Sequence, residues 1–231
     1  MKFLFPLEKT KIIKRYKRFF ADLTRSDGSV ITVHVPNTGP MIGAWQEGWD
    51  CYIMPKADPK KMTHGAELTQ SPDKTLMGIN TQIPNKLIKQ ALENHEIKEI
   101  NNYNEVIPEY TIGKSKLDFL LKKSGKEIAF IEVKNCSGKI DKTAFFPDTV
   151  SERAVKHLEE LISLKKKGFR TILIFVVQRG DVEYFTPGDN YHPEYGEVFR
   201  KALNLGVEIL AFSCEISLTE IHLGKKLKIK V

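Results

Sequence analysis

The chain has 231 residues, of which 41% are hydrophobic and 28% charged, and its net charge at pH 7 is +7. These are globular values, and no apolar run approaches the roughly 20 residues that a membrane-spanning helix needs. The three cysteines are far apart and odd in number, which excludes a disulfide framework and zinc-ligand spacing. We therefore expect a cytoplasmic protein without zinc and without membrane contact.

The first eighty residues have the pattern of short β-strands separated by turn residues. Asp27-Gly28 is a good hairpin turn, and strong helical periodicity is absent. About five short strands in roughly 75 residues predict a small barrel or sandwich. The strands are expected at 11–23, 29–35 and 50–54, with a further pair between 67 and 79.

The pattern changes at Ile83 to a mixture of helices and strands. Asn85 is a candidate N-cap for the first helix, and Thr149 with Glu152 has capping-box spacing before a second helix. We place a domain boundary between residues 82 and 83. Helices are expected from residue 85, at 151–166 and at 195–205, and strands at 104–110, 116–122, 127–135, 171–178, 207–213 and 226–231.

Two of these strands, at 116–122 and 127–135, carry a group of charged residues. The loop between them is short enough for a hairpin, which places Asp118 nearly opposite Glu132. Lys134 projects to the same side as Glu132 because alternate residues of a strand share a face. The remaining residues are apolar on both faces, which predicts a sheet covered by helices and makes two buried carboxylates costly.

A divalent cation would remove that cost. Mg²⁺ (or Mn²⁺), bound by Asp118 and Glu132 with several retained waters, is the natural candidate. Lys134 would then orient or help deprotonate the attacking water and stabilise negative charge on a phosphodiester. The alternative is a salt-bridged cluster without catalysis, and the short D…E-x-K spacing alone does not decide between them.

Three more polar residues lie near the start of the second helix, after the E-x-K strand. Arg153, Lys156 and His157 are close enough in sequence to reach the site. A lone histidine is more often a partly buried structural residue, so His157 is a weaker candidate than the acidic pair.

The positive charge is concentrated at the start of the chain. Residues 1–18 contain seven Lys or Arg and the single Glu8, a net charge of +6. Interleaved basic and aromatic residues suit a groove where cations follow a phosphate backbone and rings stack on bases. The alternative is an ordinary strand with Ile13, Phe19 and Phe20 in the core and solvated lysines outside. We assign Phe19 and Phe20 to the core and leave Tyr16 open. The cations Lys14, Arg15, Lys17 and Arg18 are assigned to nucleic acid.

Several stretches, in order along almost the whole chain, share their residues with one family. They lie at 15–19, 34–41, 78–81, 84–86, 115–121, 131–134, 146–150 and 156–158. In these stretches the chain resembles the sugar fermentation stimulation protein family, SfsA. Two positions depart from the family pattern: Lys116 stands where arginine is usual, and Pro40 follows the N-T-G motif where arginine is usual. Both changes would weaken bidentate phosphate contacts.

The resemblance implies a fold of the α/β (α+β) class in two domains. Residues 1–82 would form an OB-like nucleic-acid-binding barrel, and residues 83–231 a mixed-sheet PD-(D/E)xK nuclease-like domain with flanking helices. Asp118, Glu132 and Lys134 occupy the matching catalytic positions, with Glu109 as an additional acidic member. Pro147-Asp148 follows the E-x-K element and is better interpreted as a helix entrance.

Two compatible functions follow. The resemblance implies a DNA-binding protein, a regulator of sugar-metabolism genes, that contacts mainly backbone phosphates, and Lys86 and Lys116 join the four N-terminal cations as candidate contacts. The alternative is a Mg²⁺-dependent nuclease that hydrolyses DNA phosphodiesters. A sugar or nucleotide enzyme ranks last because the sequence has no phosphate loop or dinucleotide fingerprint. The sequence does not decide between single-stranded and double-stranded DNA, nor whether the protein forms a homodimer.

Overall fold

The computed structural model describes residues 1–57, 62–112 and 115–231, without the side chain of residue 115. The N-terminal part is a closed β-barrel, as predicted. Its sheet has the order β3-β2-β1-β4-β5-β6, and a parallel contact between His34 and Gly65 joins β3 to β5. The strands are β1 (Glu8–Tyr16), β2 (Phe20–Thr24), β3 (Val30–His34), β4 (Asp50–Pro55), β5 (His64–Gln70) and β6 (Leu76–Gly78).

The predicted strand over 11–23 is wrong, because the structure has a hairpin there. β1 and β2 pair in antiparallel fashion down to Tyr16 and Phe20. Lys17 and Arg18 form the turn with φ of 48° and 62°, in the left-handed region. No glycine, proline, asparagine or aspartate marks this turn, so the usual signals of chain reversal are missing from the sequence.

The barrel core differs from the expected one at two positions. Ile12 is 3% exposed, whereas Ile13 is 38% exposed, and Phe19 lies exposed at the hairpin turn. The assignment of Phe19 to the core is therefore wrong, and so is the alternative interpretation that placed Ile13 there. Thr10 and Ile12 point inwards together because alternate strand residues share a face.

The described residues after the barrel form two sheets and three helices. The main sheet is mixed, with the order β15-β14-β12-β9-β8-β7, and the smaller one has the order β10-β11-β13-β16. The elements in chain order are α1 (Ile83–Glu93), β7 (Glu105–Ile112), β8 (Ser115–Lys123), β9 (Lys126–Cys136), β10 (Gly138–Ile140), β11 (Thr143–Phe146), α2 (Glu152–Lys166), β12 (Arg170–Val177), β13 (Tyr184–Pro187), α3 (Pro193–Asn204), β14 (Glu208–Ile216), β15 (Ile221–Lys226) and β16 (Lys228–Ile229). The smaller sheet was not predicted, since all four of its strands have four residues or fewer.

Helices cover both faces of the main sheet, as the apolar strands predicted. α1 packs Leu87 and Ile88 on one face, in a cluster that includes Ile131 of β9. α2 and α3 cover the opposite face, where Leu158 packs in the cluster of Phe130. Alternate residues of β9 therefore enter different cores, and Glu132 and Lys134 follow Phe130 towards α2.

Both predicted helix caps are wrong. α2 is capped by Ser151, whose hydroxyl accepts a hydrogen bond from the backbone N–H of Ala154, and not by Thr149. α1 already begins at Ile83, so Asn85 lies inside its first turn. Pro84 fits that turn because a first-turn N–H has no partner within the helix.

The barrel is attached to the main sheet by buried polar contacts. Gln178 follows β12, and its side-chain amide donates to the backbone carbonyl of Asn80 at 3.0 Å. The backbone carbonyl of Gln178 accepts from the backbone N–H of Gly78 at 2.8 Å. Arg179 donates to the carbonyl of Gly43 at 2.8 Å. Each contact ties a barrel segment to the strand next to β9, so the position of the barrel relative to that strand is fixed.

Asp148 makes a further contact between the two parts of the chain. Its carboxylate accepts from the backbone N–H of Met41 at 3.1 Å. The interpretation of Pro147-Asp148 as a helix entrance is therefore wrong: α2 begins only at Glu152, and Asp148 instead holds a barrel loop. No helix in the described ranges is long and apolar enough to cross a membrane.

Replacing Gly78 with alanine should destabilise the protein by about 1–3 kcal/mol, the usual cost of overpacking a closed interior. The added Cβ would stand 2.3 Å from Gln178 Oε1 and 3.0 Å from Gln178 Cβ. Urea denaturation measures the loss. Gly65→Ala is the matched control, since its Cβ would meet nothing nearer than 3.7 Å. Equal losses in the two variants would contradict this account of the interface.

Candidate active site

The β8–β9 hairpin brings the predicted acidic pair together. Its turn consists of Ser124 and Gly125 with φ of 50° and 76°, which matches the tight turn that the sequence predicted. Phe119 pairs with Ile131, so Asp118 and Glu132 are neighbours across the two strands. The backbone N–H of Val133 donates to Asp118 Oδ2 at 2.7 Å, which locks the aspartate against β9.

Glu132 is the most deeply buried member of the site, with 2% of its surface exposed. Its Oε1 accepts from Lys134 Nζ at 2.5 Å and from His157 Nδ1. Its Oε2 is buried and has no hydrogen-bond partner among the residues that the structure describes. One oxygen of this carboxylate is thus doubly occupied, and the other is left free.

The two carboxyl groups have opposite pKa shifts. Burial raises the pKa of Asp118 to about 6, and repulsion by Glu132 adds to the shift although Val133 and Asn85 donate to the group. Burial also raises the pKa of Glu132, but His157 and Lys134 outweigh it and hold that pKa below its ordinary value. Glu132 is therefore ionised in mildly acidic solution, where Asp118 still holds its proton, and Asp118 ionises as the pH rises through about 6.

These residues fit a divalent cation. An ionised carboxylate with a free buried oxygen is a ready ligand, and a cation would relieve the repulsion that raises the pKa of Asp118. Hard cations such as Mg²⁺ need only one or two carboxylates when waters complete the shell. In the described ranges no three His, Cys, Asp or Glu side chains cluster as a ligand set. The acidic pair would thus supply two carboxylate ligands and leave the remaining positions to water.

Two further residues contact the acidic pair, although both were predicted from the sequence to have mainly structural roles and, of the two, only His157 was named as able to reach the site. Asn85 was assigned as a helix cap, but its amide donates to Asp118 Oδ1 at 2.6 Å. His157 was a weak candidate, and its Nδ1 contacts Glu132 and lies 3.0 Å from Lys134 Nζ. The positions of α1 and α2 against the sheet create these contacts, so no spacing within one segment reveals them.

Glu109 does not join the carboxylate pair in the contacts that the structure describes. Its side chain is 75% exposed and forms an ion pair at 2.8 Å with Lys116. Lys116 thus has an acidic partner on the neighbouring strand, and Lys86 is exposed in the first turn of α1. The roles predicted for Glu109, Lys86 and Lys116 stay predictions.

A groove runs between the β1–β2 hairpin and the start of α2. Its volume is about 800 Å³, and its lining includes Tyr16, Lys17, Arg18 and Trp45 from the barrel with Ser151 from the other side. Lys17 and Arg18 are exposed, and no ion pair involves either of them in the described part of the chain. Two cations and two aromatic rings thus border one open channel.

The other two N-terminal cations have protein partners. Arg15 donates to the backbone carbonyls of Arg18, Asn37 and Gly39. Burial lowers the pKa of Arg15, and Asp148 opposes this shift. Lys14 Nζ lies 3.7 Å from the carboxylate of Asp22. Arg15 therefore braces the hairpin against the 37–39 loop, and Lys17 and Arg18 present the freer charges.

Comparison with known proteins matches both parts of the chain. Residues 13–79 match the family described as "SfsA N-terminal OB domain", and residues 82–220 match "Sugar fermentation stimulation protein RE domain". A sugar fermentation stimulation protein homolog of Shewanella baltica is 40% identical over 234 residues, covering 100% of both chains. The chain belongs to the sugar fermentation stimulation protein family.

Other members of the SfsA family agree with this assignment. A homolog from Synechocystis is 41% identical over 218 residues, which cover 91% of each chain. The solved structure of Pyrococcus furiosus SfsA in complex with Ca²⁺ has a TM-score of 0.89 and 26% identity, and the match covers 100% of this chain and 98% of that one. The predicted SfsA fold, an OB barrel followed by a mixed sheet with flanking helices, is thereby confirmed.

The pKa of Asp118 predicts a pH-dependent effect of Asp118→Asn when no metal is present. The ordinary pKa is 3.8 and the folded one is about 6, so the folded state binds the proton more tightly. Ionisation therefore weakens the folded state progressively from about pH 4 to pH 6, with the full loss above that range. Asparagine does not ionise and escapes this loss.

The measurement is the thermal midpoint of both proteins in EDTA across that pH range. The midpoint of the wild type should fall relative to that of Asp118→Asn as the pH rises. A difference between the two midpoints that stays constant with pH would show that Asp118 titrates normally.

Proposed function

We propose that this protein binds DNA through its backbone phosphates and hydrolyses phosphodiester bonds with a divalent cation, Mg²⁺ (or Mn²⁺), held by Asp118 and Glu132. The observation that carries the proposal is the buried, unpaired Oε2 of Glu132 beside a second carboxylate and a lysine. A purely structural salt bridge has no reason to leave a buried carboxylate oxygen without a partner. The complex of Pyrococcus furiosus SfsA with Ca²⁺ supports a divalent cation in this family.

The residues of the site would have three separate roles. Asp118 and Glu132 would hold the cation, which would supply the Lewis acid that hydrolysis of a phosphodiester requires. Asn85 and the N–H of Val133 hold the Asp118 carboxylate in a fixed orientation. Lys134 presents its ammonium group at the same place, where it would stabilise the negative charge that develops on the attacked phosphate.

The groove between the barrel and α2 supports DNA binding. Lys17 and Arg18 would contact phosphates, and Tyr16 and Trp45 border the same channel and offer rings on which bases could stack. Regulation of sugar-metabolism genes remains a prediction that rests on the family name. A DNA-binding protein without turnover is the second candidate, favoured by these exposed cations independently of the acidic pair.

The decisive experiment scores cleavage and binding together. Single- and double-stranded DNA are incubated with the wild type, Glu132→Ala and Lys134→Ala, each with Mg²⁺, with Mn²⁺ and with EDTA. The wild type should cleave only with metal, and both variants should bind DNA but lose at least about 100-fold in cleavage rate, typical for loss of a principal electrostatic group. Binding by all three proteins without cleavage would leave the second candidate function.

A separate prediction concerns the salt dependence of binding. The double variant Lys17→Ala, Arg18→Ala should weaken DNA binding and reduce the slope of log K against log salt by about 1 to 2, since each lost phosphate contact removes nearly one released counterion. Lys201→Ala, an exposed lysine in the last turn of α3, is the matched control and should keep the slope. An unchanged slope in the double variant would place the DNA elsewhere.

A further inference from the structure

His157 connects the acidic pair with helix α2. Its Nδ1 contacts Glu132 Oε1 and lies 3.0 Å from Lys134 Nζ. On the other side of the ring, Arg153 Nε lies 3.3 Å from His157 Nε2. Arg153 and His157 are four residues apart on one helix, so they are neighbours on its surface.

Two of the three polar contacts of the ring, those with Arg153 and Glu132, favour the same tautomer, whereas Lys134 is a donor beside Nδ1. The Arg153 guanidinium can only donate, so Nε2 must be the acceptor. In the neutral ring the hydrogen then sits on Nδ1, and it points at Glu132 Oε1. Lys134 is close to Nδ1 because its ammonium group donates to the same carboxylate oxygen.

The consequence concerns the free oxygen of Glu132. Two donors on Oε1 fix the rotation of the carboxylate, and Oε2 is left as its only unoccupied oxygen. Lys134 alone could not fix that rotation, because its long chain has several rotamers and follows the carboxylate. The imidazole is rigid and is carried by a packed helix, so it can impose a direction.

We propose that His157, with its tautomer set by Arg153, is a positioning residue that holds Glu132 so that Oε2 faces the cation. This inference rests on the proposed function and names a residue on which its cation site depends. Partners that orient a metal ligand typically change metal affinity or activity by 10- to 100-fold when they are removed. A histidine with only a structural role would contribute to folding stability and not to cation affinity.

The position of His157 agrees with this role. His157 lines a second groove, of about 710 Å³, together with Lys116, Arg153 and Lys156. Glu152, Glu159 and Glu160 line the same groove, so the ring borders a polar channel with side chains of both charges, while its Nδ1 contacts Glu132. The helix contributes to the apolar core through other residues, such as Leu158 and Leu161.

Two amide substitutions separate the two ring nitrogens. His157→Asn places an amide nitrogen near the position of Nδ1, whereas the longer side chain of His157→Gln reaches towards the position of Nε2. Calorimetry with Mn²⁺ and with Ca²⁺ on the full chain gives cation affinity, and the thermal midpoint in EDTA reports folding. We expect His157→Ala and His157→Gln to lose about 10- to 100-fold in cation affinity. His157→Asn should stay within about threefold of the wild type, and so should the control Lys166→Ala, exposed in the last turn of α2.

The outcomes distinguish this inference from the proposed function. Suppose that the wild type binds cation and cleaves DNA, but the asparagine and glutamine variants have the same cation affinity. The positioning role of His157 is then overturned, and the proposed function stands. If the wild type binds neither cation, the proposed function is overturned and this inference with it. Nitrogen-15 chemical shifts of the metal-free ring at about pH 8 give an independent reading. The Nδ1–H tautomer is expected, and the Nε2–H tautomer would contradict the proposal.

Discussion

Two carboxylates, Asp118 and Glu132, lie next to each other in a sheet whose surrounding side chains are almost all apolar, and the arrangement around them limits the resulting repulsion. One oxygen of Glu132 accepts hydrogen bonds from two side chains, and Asp118 accepts one from a side-chain amide and one from a backbone N–H. These donors come from β9 and from helices on opposite faces of the sheet. The site therefore depends on the packing of both apolar cores, because each core positions one helix against the hairpin.

The barrel is part of the same arrangement. Gln178 and Arg179, directly after β12, bind barrel carbonyls, and β12 is the parallel neighbour of β9. The contact of Asp148 with Met41 adds a further fixed point close to the start of α2. The groove that borders the β1–β2 hairpin is consequently held in a constant relation to the strand that carries Glu132. A nucleic acid bound along the barrel would therefore have a fixed position relative to the acidic pair.

The sequence predicted the local parts of this structure and not the contacts between distant segments. The β8–β9 hairpin followed from alternation and a short loop, and the shared face of Glu132 and Lys134 followed from the period of a strand. The contacts of Asn85 and His157 could not follow in the same way, because they arise only when α1 and α2 pack on the sheet. Lys17 and Arg18 formed a turn without turn residues, since Arg15 supplies the stabilising hydrogen bonds from outside the turn.

The bonds from Arg15 to three backbone carbonyls have a further consequence for the hairpin that carries Lys17 and Arg18. A turn of non-glycine residues in the left-handed region would otherwise sample many conformations, and a ligand that ordered it would lose binding free energy to that ordering. Because the guanidinium group already holds the hairpin and the 37–39 loop together, the entropy cost of ordering them is incurred when the protein folds and not when it binds. A nucleic acid would therefore bind a hairpin that is already ordered. The protein would lose little conformational entropy on binding, and this loss would lower the affinity for phosphates only slightly.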